Sequence, residues 1–198
     1  MTAIVETRPV GEADLPDLAR LFGSQRSTRN CWCMSFCASR PRFALGWLTG
    51  GNRERFASMA AGSPTPMGVL AAVVGEPVGW CACGPRARYA AALGARSTLM
   101  PDRVLAEDEH VWLLPCLFVA AGHRGRGITR TLVGAAVDLA RSRGATALES
   151  WPLARAADRP GEAFLGREEL FDDLGFHTTS RPTTSRVIMR INLPSDPV

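Results

Sequence analysis

The sequence predicts an α/β fold. Three observations carry that prediction: a nearly all-apolar run from Val111 to Val119, an arginine- and glycine-rich turn from Arg124 to Thr129, and a helix-period stretch that Gly144 stops before a second short apolar run, Ala147 to Trp151. A strand, a crossover helix and a neighbouring parallel strand make one βαβ unit.

The run Val111 to Val119 is apolar throughout, as expected of a strand covered on both faces. In the stretch after the turn, Ile128, Leu132, Ala135, Ala136, Leu139 and Ala140 recur at three- and four-residue spacing, which draws one buried helix face. Taken in order, Ala3 to Val10 reads as a first strand. Asp14 is placed to cap a helix reaching Phe22, with Leu15, Leu18, Ala19 and Phe22 on its buried side and Pro16 in the tolerated first turn. Ser24 to Pro41 reads as a loop whose Trp32 and thiols pack under the sheet. Asn52 is expected to cap a helix over Arg53 to Ala61, ended by the Gly62–Pro66 cluster. Met67 to Val74 and Pro77 to Cys83 form a hairpin around Gly75 and Glu76, which puts Cys81 and Cys83 on one face. Pro85 to Glu109 is a long connection with a short helix near Tyr89 to Leu93, a length often tied to function. A polar loop follows from Pro152 to Pro160, then a helix from Phe164 to Leu174 closed by Gly175, then a last strand from Val187 to Leu193.

At 198 residues the expectation is one domain, 1–198. No eighteen-residue apolar run occurs and Met1 to Gly11 has no apolar core, so neither a membrane span nor a secretory signal is expected, and the cytoplasm is the default compartment. Six cysteines in such a chain do not read as a disulfide framework. Cys31, Cys33 and Cys37 are wrongly spaced for a zinc knuckle, and His110, His123 and His177 are scattered, so no metal is expected. A net charge of +4 suits a phosphate-bearing ligand but, with few aromatics and no lysine run, does not call for nucleic acid.

The turn carries the chemistry. The first amides of a helix have no partner within it, and with the positive end of the dipole they make a site for phosphate oxygens. Gly125 and Gly127 let a ligand approach the backbone, and Arg124 and Arg126 add charge that can fork onto phosphate. His123 to Arg143 holds five arginines against one acid, Asp138. A Walker loop would need Gly-Lys-Ser/Thr, which is missing, and a dinucleotide fingerprint would need Gly where Arg130 stands.

Leu117-Phe118-Val119 followed four residues later by Arg124-Gly125-Arg126-Gly127-Ile128 resembles the acetyl-CoA signature of the GNAT acyltransferases, Arg/Gln-x-x-Gly-x-Gly/Ala after a strand. Arg124, Gly127 and Thr129 fall on its fixed positions, with Thr129 departing from the usual Gly or Ala. Cys31-Trp32-Cys33-Met34, Gly79-Trp80-Cys81, Pro85-Arg86, Glu149, Phe164-Leu165-Gly166 and Gly175-Phe176 extend the likeness to a branch of that superfamily with a Cys-Trp-Cys segment.

The resemblance implies a mixed, mostly antiparallel central sheet, run β-α-α-β-β-β-α-β-α-β, whose fourth and fifth strands splay apart. It implies N-acetyl transfer from acetyl-CoA to an amine acceptor by direct attack, in a monomer or homodimer, without metal. The acceptor is a small molecule or a protein. Leu117, Phe118 and Val119 would pair with the pantetheine arm through their backbone. Arg124, Gly125, Arg126, Gly127, Ile128 and Thr129 would hold the diphosphate, and an amide near Cys116 or Leu117 would polarise the thioester. Glu149 is the first candidate base and Glu109 the second. Phe171 stands where a proton-donating Tyr is usual, so the acid is another group, with Cys116 or water as candidates, or is dispensable, and acyl transfer through Cys116 is a further option. Glu107, Asp108 and Glu109 could attract a cationic amine. The alternative is a non-catalytic module that senses coenzyme A or its acyl form.

Overall fold

A computed structural model describes residues 4–95, 100 and 103–194. Seven strands form one sheet: β1 (Val5–Pro9), β2 (Gly68–Val73), β3 (Glu76–Pro85), β4 (Val111–Val119), β5 (Ala147–Ser150), β6 (His177–Thr183) and β7 (Arg186–Asn192), in the order β1-β2-β3-β4-β5-β7-β6. Every neighbouring pair is antiparallel except β4 and β5. The helices are α1 (Leu15–Gly23), α2 (Arg26–Arg29), α3 (Met34–Cys37), α4 (Arg40–Thr49), α5 (Gly51–Gly62), α6 (Ala90–Ala95), α7 (Ile128–Ser142) and α8 (Glu168–Asp172).

One face of the sheet is covered by α7. Its Ile128, Leu132, Val133 and Ala136 bury against Val69, Val78, Cys81 and Trp112. Gly79 lets the helix lie close, since a Cβ there would fall 3.0 Å from both Ile128 Cγ2 and Leu132 Cδ1. The opposite face takes Leu18 and Phe22 of α1, Trp32, Phe36 of α3 and Phe56 of α5, packed on Trp80, Leu113 and Phe118. Phe22 meets Trp32 edge-on at 5.2 Å and Trp80 at 6.0 Å, so one aromatic cluster ties the α1–α3 segment to β3.

Four expectations change. β6 is an additional strand: its sequence, His-Thr-Thr-Ser-Arg-Pro-Thr, is polar and largely exposed because it pairs only with β7 at the sheet edge. The stretch 24–41 is not a plain loop, since α2, α3 and the start of α4 lie within it. Asn52 sits inside α5, fully buried, and donates from Nδ2 to the carbonyls of Asn30 and Phe43. The left-handed residue before that helix is Gly50, at φ +80°. The helix expected over 164–174 is broken at Gly166, whose φ of +73° ends a 3-10 turn (Pro160–Leu165) before α8 begins.

All six cysteines are free thiols. No described helix is long and apolar enough to cross a membrane. Among the described residues no group of three or more histidine, cysteine, aspartate or glutamate side chains could hold a metal ion.

Candidate active site

β4 outruns its parallel partner. Pairing with β5 covers Val111↔Ala147 to Leu114↔Ser150 and stops, while β4 continues along β3 to Val119. Pro115 follows the last paired residue and has no N–H to offer. It lies where β4 bulges: Ala82 faces Cys116 but Gly84 faces Leu113, so Leu114 and Pro115 oppose one residue of β3. The carbonyls freed there are satisfied by side chains. Ser150 Oγ donates to the Leu114 oxygen at 2.9 Å, and Trp151 Nε1 donates to the Pro115 oxygen at 3.2 Å.

Beyond this point the backbone of β4 is polarised in a definite way. The Ala120 amide donates to the Val78 oxygen at 2.9 Å. Alternation along an antiparallel pair then turns N–H and C=O of Leu117 and Val119 away from β3, into the gap. Those of Phe118 face β3, so Phe118 offers the gap only its side chain.

A cavity of about 550 Å³ opens beside the gap. One wall is Cys116, Leu117, Phe118 and Val119. The facing wall comes from α1–α3: Phe22, Gln25, Ser27, Thr28, Cys31, Trp32, Cys33, Ser35 and Phe36. Trp80, Ala163 and Phe164 contribute further lining, and Arg124 and Thr129 border it at the turn.

The turn itself has the expected form. Gly125 and Gly127 adopt φ of +72° and +78°, left-handed values that favour glycine, and a Cβ at either would meet no atom within 4 Å. The first α7 amide to bond back is that of Thr131, on the Gly127 oxygen at 3.2 Å. The amides from Gly125 to Arg130 therefore donate to no backbone carbonyl among the described residues. Arg124 and Arg126 are exposed, and the Arg124 guanidinium lies back on the strand, donating from Nε to the Val119 oxygen at 3.1 Å. The Ile128 side chain is buried under α7 and serves the helix rather than a ligand. Thr129 is half-buried at the cavity rim.

Glu149 is brought elsewhere. It is buried, and both of its oxygens are occupied: Arg86 donates to Oε2 at 3.0 Å and Arg190 to Oε1 at 3.2 Å. It lines a second, smaller cavity of about 160 Å³ with Arg86, Arg103, Glu107 and Arg190, not the one beside Leu117 and Val119. Asp108 pairs with Arg86 and Arg103, Glu107 with Arg86 and Arg190, and Glu109 is exposed outside both linings. The connection 85–109, expected beside the acceptor, thus contributes to this ion-pair cluster. Phe171 is buried against Phe176, ring centres 5.1 Å apart, and Tyr89 is a core residue outside the cavity.

Three thiols face the cavity. Cys33, together with burial, pushes Cys116 well above the ordinary thiol range. Burial, reinforced by Cys33, pushes Cys31 up to about 11. Pro115, Ser150 and Trp151 were not singled out from sequence as site residues, and the missing donor at Pro115 was the one readable signal among them.

The family model described as "Acetyltransferase (GNAT) family" matches residues 34–165. No curated protein sequence matches this chain. Among solved structures it is similar to a GNAT-family acetyltransferase from Streptococcus pneumoniae (TM-score 0.57, 16% identity, 96% of this chain and 100% of that one). It is also similar to the PaiA N-acetyltransferase of Thermoplasma acidophilum, solved with coenzyme A (0.55, 13%, 96% and 99%), and to YncA of Salmonella typhimurium, solved with acetyl-CoA (0.53, 15%, 98% and 96%). With two thirds of its length inside the family model, this chain belongs to the GNAT family of acetyltransferases and is an acyltransferase of that type.

Proposed function

We propose that the protein moves an acetyl group from acetyl-CoA to an amine acceptor by direct attack. The observation that carries this reading is the row of unpartnered amides from Gly125 to Arg130, in a turn whose Arg124 and Thr129 border the same cavity as Leu117 and Val119. A diphosphate fits the first feature and an extended amide-bearing arm fits the second. In this reading the amides of Gly125, Arg126, Gly127, Ile128 and Thr129 hold the diphosphate, and Arg124 swings off Val119 to add its charge. Leu117 and Val119 pair with the arm, and the Leu117 amide polarises the thioester carbonyl. Phe118 supports the apolar wall. Cys116, on the strand beside that carbonyl and held as a thiol, gives its proton to the departing sulfur. Glu149 we assign to the scaffold, because its oxygens already accept from Arg86 and Arg190 and it lies outside the lining of the cavity beside Leu117 and Val119.

A second reading is a non-catalytic sensor of coenzyme A. Its supporting observation is that Phe171 cannot donate a proton and that Tyr89 lies outside the cavity lining. Calorimetry with coenzyme A, combined with thiol release from acetyl-CoA over a panel of amines, separates the two. The transfer reading expects binding that Arg124→Glu with Arg126→Glu weakens at least about tenfold, and turnover with some amine. Binding without turnover favours the sensor, and no binding sinks both.

A further inference from the structure

The transfer reading leaves one proton without a destination, the one the acceptor nitrogen loses as it bonds to the acetyl carbon. We propose that the Cys33 sulfur receives it, so that Cys33 and Cys116 act as base and acid from opposite walls of the cavity. This inference rests on the acetyl-transfer reading.

Cys33 reaches the cavity from the segment between α2 and α3, and Cys116 from β4. The Cys33 sulfur is built into an acceptor. Trp80 is fully buried, so its indole N–H has no water to turn to, and it donates to Cys33 Sγ at 3.3 Å. Cys116 first and the Trp80 indole second draw the Cys33 thiol below its ordinary value against the opposing effect of burial, whereas Cys31 and Cys116 are pushed up. Of the two thiols, Cys33 is the one with the indole donor, so it loses its proton first. Two titratable groups pushed apart by their surroundings are the pattern of an acid and base pair.

The backbone points the same way. Trp32 and Cys33 are consecutive non-glycine residues in the left-handed region, at φ of 49° and 53°. Each such residue costs about 1–2 kcal/mol, and such conformations cluster at functional sites. The packing that holds them is visible. The Trp32 ring meets Phe22 edge-on and Phe56 at a tilt, its Nε1 donates to the Arg29 oxygen at 3.0 Å, and the Arg53 guanidinium lies 5.6 Å from its ring centre.

The protons balance. The amine nitrogen bonds to the carbonyl carbon and its proton passes to the Cys33 thiolate. The carbon–sulfur bond breaks, and the coenzyme sulfur takes the proton of Cys116. The Cys33 proton then passes to the Cys116 thiolate, which restores the starting pair. The net change is amine plus thioester to amide plus thiol.

The test has two arms. In the first, the native protein is alkylated with iodoacetamide over a pH series and each cysteine is followed by peptide mass mapping. Cys33 is expected to label at lower pH than Cys31 and Cys116. Trp80→Phe, which keeps an aromatic ring but removes the N–H, moves the Cys33 midpoint up. In the second, Cys33→Ser lowers kcat at least about 100-fold and leaves calorimetric coenzyme A affinity within about twofold. Circular dichroism checks that the variant is folded. Cys33 labelling no earlier than the other two overturns the proposal, as does a folded serine variant that keeps the wild-type rate. Wild-type protein that binds no coenzyme A, or binds it without turning over any amine, sinks the transfer reading and this one with it. Coenzyme A binding and turnover that ignore Cys33→Ser sink this one alone.

Discussion

The indole N–H of Trp151 donates to the carbonyl oxygen of Pro115 at 3.2 Å, one residue beyond the last paired position of β5 and of β4. The bond is buried and spans the place where the two strands part. Trp151→Phe leaves that oxygen without its donor, so a loss of about 1–3 kcal/mol in stability is expected. Urea unfolding measures it, and calorimetry should show weaker coenzyme A binding alongside. Unchanged values for both would mean that the gap is held open by other contacts.

Glu149 separates a structural carboxylate from a catalytic one. Glu149→Gln removes one of the three carboxylate partners of the buried Arg86 and should destabilise the fold by about 1–3 kcal/mol. The pH dependence of turnover should keep its shape. A variant of wild-type stability whose pH profile has lost its lower limb would restore Glu149 to the chemistry.

The turn is tested by conformation rather than charge. Gly127→Val forces a β-branched residue to φ near +78°, a region L-residues occupy at a cost of about 1–2 kcal/mol. Coenzyme A affinity should fall by about tenfold as the donor row distorts. Thr129→Ala restores a small side chain at the cavity rim and should bind coenzyme A at least as tightly as wild type. Both are read by calorimetry.

Acid should unfold the protein through two carboxylates. Asp108 is held below its usual range first by its hydrogen bond from Arg103, and Glu168 first by its hydrogen bond from Arg181. A carboxylate lowered in the folded state contributes stability above its unfolded value, about 3.9 for Asp and 4.3 for Glu, and that contribution is lost as pH falls through the folded value. Urea midpoints should therefore decline below about pH 4. Asp108→Asn and Glu168→Gln should each flatten that decline.

The sequence was legible where one physical demand governed each residue. β4 and α7 begin and end within a residue of expectation, because a strand covered on both faces and a one-sided helix leave unmistakable periods. Gly125 and Gly127 needed positive φ, and no other residue meets that need as cheaply. β6 escaped notice because an edge strand packed on little else needs no apolar alternation. Asn52 looked like a cap because the same side chain that caps a helix from outside can bridge carbonyls from within. Glu149 lay on the expected strand, but the two arginines that occupy it come from residues 63 before and 41 after it, a relation no local window contains.

Pro115 has a consequence for anyone redesigning this scaffold. A ring that removes one hydrogen from the chain keeps β4 from being zipped to its neighbour along its full length. Substituting alanine would hand that hydrogen back, and the sheet could then seal its own mouth. The most permissive residue in ordinary engineering would be, at this position, the one that shuts the door.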